Sequence, residues 1–202
     1  MRAPEHLTGF QPITASRTIC KESKSGYTRM ASDHDIWRII QDFTSAAVRC
    51  VESGFDGIEL HGAHGYLISQ FLSKTINKRT DKWGGDINGR SQFLMEIVNS
   101  IKNNVPENFI VGIRLSPEIE ELNISLEDSI KLIRKVKTMG LDFIHLSCWD
   151  IYAPSLQYPK DPKRIAEWIT HSIDNLPPII STGKIWSAED AQNAIDQGAD
   201  LV

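Results

Sequence analysis

Phe109-Ile110-Val111-Gly112-Ile113-Arg114-Leu115, a stretch from Leu126 to Met139 closed by Gly140, and then Phe143-Ile144-His145-Leu146-Ser147 together carry the reading of the fold. Two short apolar runs rich in β-branched residues enclose an amphipathic segment of helical period, which is a strand–helix–strand unit. The same unit recurs on both sides. Upstream, Ser32 or Asp33 can cap a helix whose apolar face includes Ile36, Ile39, Ile40, Phe43, Ala47 and Val48. That helix ends near Ser53-Gly54 and leads into a strand, Gly57-Ile58-Glu59-Leu60. A polar segment follows to about Arg90, and a helix from about Ser91 to Asn104 precedes Phe109. Downstream, a helix from Pro162 to about Asp174 precedes Pro178-Ile179-Ile180-Ser181-Thr182. A last helix from Ser187, with Asp190 as its box partner, reaches Gln197-Gly198 and a fifth strand, Ala199 to Val202. Residues 1–32, rich in Pro, Gly, Ser and Thr, read as an irregular rim segment; 33–202 read as the βα repeats of one domain.

The 202 residues are 41% hydrophobic and 24% charged, the composition of an ordinary globular chain with one sizeable core. A net charge of −4 gives no reason to expect nucleic acid or an anionic membrane as a partner. No apolar run approaches membrane-spanning length and no secretory leader is evident, so a cytoplasmic protein is expected. Cys20, Cys50 and Cys148 are odd in number and widely spaced, which suits reduced thiols rather than a disulfide framework or a zinc site.

Strands alternating with helices imply a parallel sheet with helices outside it. No Gly-x-Gly-x-x-Gly follows the first readable strand, which weakens a dinucleotide-type open sheet. Polar residues gather instead just after several strands: His61 and His64, Arg114, Ser147 and Cys148, Gly183 and Lys184. That is the rim on which a (β/α)₈ barrel carries its active site. About five strands are countable where such a barrel has eight. The expectation is therefore an α/β chain forming a partial (β/α)₈ TIM barrel, its last five strands with their helices, without the first strands and the close of the barrel.

The chemistry concentrates in Gly54-Phe55-Asp56-Gly57-Ile58-Glu59-Leu60-His61-Gly62-Ala63-His64-Gly65-Tyr66-Leu67, continued by Gln70-Phe71-Leu72-Ser73 and by Asn77-Lys78-Arg79-Thr80-Asp81-Lys82-Trp83-Gly84-Gly85. A strand delivers two histidines and a tyrosine to one rim, and Gly62 and Gly65 let the backbone turn and a flat ligand approach. Two neutral imidazoles can each donate one N–H to a single oxygen, and a tyrosine can act as general acid toward a carbanion-like carbon. The residues alone leave two other readings open: a metal pair, for which no third ligand is near, and a packed, hydrogen-bonded loop.

This block resembles the signature of the Old Yellow Enzyme family of NADH:flavin oxidoreductases: His-x-x-His/Asn-x-Tyr, then Gln-Phe-Leu-Ser, then Asn-x-Arg-x-Asp-x-Tyr/Trp-Gly-Gly. The resemblance spans nearly the whole chain. It implies an FMN-dependent ene-reductase that reduces activated C=C bonds of enone-like substrates with NADH or NADPH. His61 and His64 would hold a carbonyl or nitro oxygen of the substrate, and Tyr66 would protonate one alkene carbon while flavin delivers hydride to the other. Arg114, in Val111-Gly112-Ile113-Arg114-Leu115-Ser116, would face the flavin. Gly183 and Lys184, in Ser181-Thr182-Gly183-Lys184-Ile185, would lie at the FMN phosphate, where relatives usually have a second glycine in place of Thr182. Arg79 and Asp81 read as loop-shaping. Lys74 in place of a usual proline, and Asp86-Ile87-Asn88-Gly89-Arg90 in place of Ser-x-Glu-Asn-Arg, depart from the pattern and bear on loop packing. The expected partner is a small activated alkene, and a homo-oligomer is compatible with the sequence. The competing reading is a truncated, non-enzymatic remnant that retains no flavin. Trp37, Trp168 and Trp186 are expected to pack helices and His145 to be structural, while Cys148 lies near the rim with no reactivity assigned to it.

Overall fold

The computed structural model describes residues 4–202. Four parallel strands form its sheet in the order β3 (Gly57–Gly62), β4 (Ile110–Leu115), β5 (Phe143–Ser147) and β6 (Ile179–Thr182). The helices that join them are α3 (Leu67–Leu72) and α4 (Ile87–Lys102), then α5 (Leu126–Val136), then α6 (Ile165–Ser172); α2 (Asp33–Glu52) precedes β3 and α7 (Ala188–Asp196) follows β6. The fifth expected strand is reduced to a single parallel bridge from Leu201 to Ile180. In the segment read as irregular, a short helix α1 (Glu5–Thr8) accompanies two-residue strands β1 (Ile13–Thr14) and β2 (Arg29–Met30), paired in parallel. No helix among the described residues is long and apolar enough to cross a membrane.

Period-2 alternation decides which face of the sheet is covered. Leu60, Val111, Ile113, Leu115, Ile144, Leu146 and Ile179 are all buried and join one core with the apolar faces of the helices, Ile36, Ile40 and Ile97 among them. The intervening residues (Glu59 and His61, Gly112 and Arg114, His145 and Ser147, Ile180 and Thr182) line the opposite face. Helix ends follow their local chemistry. Ser32 caps α2 with Asp35 as reciprocal partner, Asp86 caps α4, and Ser187 with Asp190 forms a box at α7. The helix expected near Ser91 thus starts four residues earlier, because the Asp86 side chain accepts from Asn88 and Gly89 N–H.

A seam recurs at the entrance to the strands. Gly54, Gly140 and Gly198 each follow a helix with positive φ, and each is followed two residues later by an aspartate: Asp56, Asp142 and Asp200. The Asp142 carboxylate accepts from Val111 N–H at 2.7 Å and the Asp200 carboxylate from Ile179 N–H at 2.8 Å, while the Asp56 carbonyl accepts from Ile110 N–H at 3.0 Å. The turn into a strand is thereby fastened to the start of a strand.

The loop block 73–90 is held by buried cations. Arg79 reaches the Asp81 carboxylate through Nε and Nη2 and also donates to the Ala15 and Ala31 carbonyls, which ties the N-terminal segment to the barrel. Arg90, almost fully buried, joins Asp128 of α5 and the Leu72 carbonyl, and Lys74 joins the same Asp128. Burial acts to raise the Asp128 pKa, but hydrogen bonds from Lys74 and Arg90 prevail and hold it below the ordinary value. Trp37 packs edge-on against Trp83 and Trp168 stacks on Tyr158. Trp186 differs from expectation: it is 88% exposed, because it precedes the cap of α7 rather than lying on a helix face.

Candidate active site

The parallel register sets His61 beside Arg114 and Arg114 beside His145, so three strands present a row of nitrogen-rich side chains on the uncovered face. Ser147 lies two residues beyond His145, next to Thr182 of β6. Beneath the row, the Phe143 ring covers Gly112 so closely that a Cβ there would meet the ring at 2.1 Å. His61, Arg114 and Ser147 sit at the C-terminal ends of their strands, the rim on which barrels carry their chemistry.

Past β3 the chain turns sharply. His64 (φ +57) and Gly65 (φ +75) are both left-handed, and Tyr66 N–H donates to the Ala63 carbonyl across them, as in a type I′ turn. Histidine is among the few non-glycine residues that adopt this conformation readily. Gly62 acts differently from expectation: its φ is ordinary, and glycine is needed because a Cβ would stand 2.9 Å from the Arg114 carbonyl. Ser116 Oγ accepts from His64 N–H, and Gln70 from α3 donates to the Gly65 carbonyl. The turn brings the three predicted side chains together: the His61 ring centroid is 5.0 Å from that of His64 and 5.0 Å from that of Tyr66.

Burial and neighbouring positive charge both favour the neutral form of the two imidazoles. Burial lowers the His61 pKa and the Arg114 charge lowers it further, against an opposing pull from Glu59. Burial, then the charges of Arg114, His61 and His145, lower that of His64. Arg114 donates from Nη2 to Ser147 Oγ at 3.0 Å, while its Nε is buried without a partner. A stranded guanidinium N–H on this face fits an acceptor-rich, anionic ligand edge, as the pyrimidine edge of a reduced flavin is. Among the described residues no three of His, Cys, Asp and Glu gather as a metal site would require.

Gly183 and Lys184 lie on the next rim loop. Gly183 has φ +148, and a Cβ there would meet the Cys148 carbonyl at 2.5 Å, so glycine lets the loops after β5 and β6 touch. Lys184 is left-handed, and its ammonium pairs with Asp150 at 3.1 Å, a partner the sequence reading did not foresee. Burial pushes the Cys148 thiol up to about 12, which makes a reactive thiolate unavailable. Three groups beyond the predicted set, Glu59, His145 and Thr182, join the face. His145 Nδ1 lies 2.7 Å from Glu59 Oε2, and its Nε2 lies 3.2 Å from Thr182 Oγ1. The i, i+2 spacing of Glu59 with His61, and of His145 with Ser147, is the signal that could have found the first two.

A model of the NADH:flavin oxidoreductase / NADH oxidase family matches residues 5–202. An NADH:acrylate oxidoreductase of Vibrio harveyi is 35% identical over 211 residues, covering 100% of this chain and 21% of that protein. The probable NADH-dependent flavin oxidoreductase YqiG of Bacillus subtilis (strain 168) is 32% identical over 207 residues, covering 100% of this chain and 55% of its own. The chain thus spans about half the length of the second relative and about a fifth of the first. Among solved structures, the Old Yellow Enzyme homologue from Zymomonas mobilis superposes with a TM-score of 0.80 at 23% identity over 98% of this chain and 58% of that one, a likeness of fold.

Proposed function

Since the chain belongs to the NADH:flavin oxidoreductase / NADH oxidase family, we propose that it serves an FMN-dependent reduction of activated C=C bonds in enone-like substrates, with NADH or NADPH as reductant, in the cytoplasm. The observation that carries this reading is the meeting of His61, His64 and Tyr66 on the rim face beside Arg114. The name of the Vibrio harveyi relative points the same way, since acrylate is an alkene conjugated to a carboxyl group.

His61 and His64 each offer one N–H to the carbonyl or nitro oxygen conjugated to the alkene. Two neutral donors on one oxygen polarise the double bond and stabilise the negative charge that develops there. Tyr66 is the general acid: its O–H supplies the proton to one alkene carbon. Arg114 would hold the cofactor edge through the N–H left without a protein partner, and Gly183 with Lys184 would lie at its phosphate. FMN, when bound, supplies hydride to the other alkene carbon.

The test is reconstitution. The chain is incubated with FMN, desalted, and examined for retained flavin absorbance near ~450 nm and for NAD(P)H-dependent consumption of an enone. Retained flavin and enone turnover support the reading. A colourless protein overturns it for this chain and leaves the non-enzymatic alternative.

A further inference from the structure

We propose that Ser147 is a positioning residue that holds His64 in its Nδ1-protonated tautomer, so that Nδ1–H is the donor His64 offers to a substrate oxygen. The proposal rests on the reading of His64 as an oxygen-holding residue. Ser147 Oγ lies 2.7 Å from His64 Nε2 and 3.0 Å from Arg114 Nη2, and its side chain is buried at the end of β5.

A hydroxyl has one proton to give and two lone pairs to receive. The guanidinium can only donate, so Arg114 occupies a lone pair of Oγ. The Ser147 proton then needs an acceptor. Among the described residues, His64 Nε2 is the one within hydrogen-bonding distance. If Nε2 carried a proton of its own, the Ser147 hydrogen would be stranded in a buried place beside a cation, an arrangement that costs free energy. The arrangement that satisfies every group runs Arg114 N–H to Ser147 Oγ, and Ser147 O–H to His64 Nε2. The cation also strengthens the second bond by polarising the hydroxyl. The single imidazole proton is left on Nδ1. The bond from His64 N–H to Ser116 and the turn from Ala63 to Tyr66 fix the left-handed backbone from which the ring reaches Ser147.

For a residue that must present a hydrogen rather than a lone pair to an oxygen, this choice matters. A His64 protonated on the wrong nitrogen would meet the substrate oxygen with a lone pair and repel it. Ser147 touches no reacting atom in this scheme; it decides which nitrogen of another residue does.

The test needs no flavin. The 202-residue chain is prepared with ¹⁵N-labelled histidine rings, and long-range ¹H–¹⁵N spectra are recorded near neutral pH, the His64 resonances being identified by their loss in His64→Gln. The expected result is a pyrrole-type Nδ1 and a pyridine-type Nε2 in the native sequence. Ser147→Ala should shift the tautomer ratio by about tenfold or more toward Nε2–H, while Ser147→Thr, which keeps the hydroxyl, should restore it. Unchanged shifts of the other histidines separate this from a folding defect, which would move them all. An Nε2–H ring in the native chain, or a native ratio in Ser147→Ala, overturns the proposal. A chain that binds FMN and reduces enones while His64 carries its proton on Nε2 overturns the tautomer assignment alone. An Nδ1–H ring that depends on Ser147, in a chain that takes up no flavin, supports the assignment and counts against the ene-reductase reading.

Discussion

Tyr66 and the two histidines divide the chemistry among three side chains that a single turn delivers to one place. If Tyr66 is the proton donor, Tyr66→Phe should slow alkene reduction by about 10²–10⁴-fold and leave reduction of the bound flavin by NAD(P)H unchanged. Stopped-flow measurement of the two half-reactions separately checks this, and equal loss in both would refute the role. The neutral state of the histidines has a distinct signature. Both rings should titrate below the ordinary 6.5, and Arg114→Met should raise both midpoints, since the arginine charge is one of the forces that depress them. Ring proton shifts followed against pH would show it. These residues were legible in the sequence because the turn and its histidines form a contiguous, chemically unusual string. The i, i+2 spacing puts Glu59 and Ser147 on the face of His61 and His145, but their pairings, and that of Thr182, depend on strand register between segments 33 to 86 residues apart, which no local pattern encodes.

Elements were readable where period and capping chemistry agree. The span of α2 follows from Ser32 and from the apolar positions 36, 39, 40, 43 and 47, and the start of α7 from Ser187 and Asp190. The six-residue α3 escaped detection, since it is buried on several sides and shows no amphipathic stripe. Strands β1 and β2 escaped because two residues carry no alternation. Asp35 illustrates what an element boundary contributes. The Arg29 guanidinium is the main cause that holds its carboxyl far below the ordinary 3.8; burial opposes this, and Ser32 adds to it. Arg29 lies on β2, so the cap of α2 also fastens the preceding segment. Asp35→Asn should cost about 1 kcal/mol in urea unfolding at neutral pH, a modest figure because Arg29 is half exposed. The folded pKa is depressed, so the contribution is present above about pH 4 and is lost as pH falls toward the folded value. The gap between the two proteins should close accordingly.

At the scale of the molecule, a parallel sheet with helices on one face was foreseen from the alternation of segments, and four of the five expected strands form it. What joins the outer layer was not foreseen. Arg90 of α4 meets Asp128 of α5 and the last carbonyl of α3, a buried cation at the junction of three helices. Arg90→Met leaves the Leu72 carbonyl without that donor and Asp128 with Lys74 alone, which should cost about 1–3 kcal/mol. Thermal melting checks this, and a loss below about 1 kcal/mol would show the junction to be solvated. The recurring Gly-x-Asp seam has a consequence for how this architecture can change. Strand entrances are clipped to their neighbours by short Gly-x-Asp turns, while the opposite ends open into longer turns and loops joined to one another by contacts such as His64 N–H to Ser116 and Lys184 to Asp150. Added residues should therefore be absorbed at the rim without disturbing strand register, and rejected at the entrances. New specificities would then arise by lengthening one end of the molecule, while the other end keeps the sheet in place.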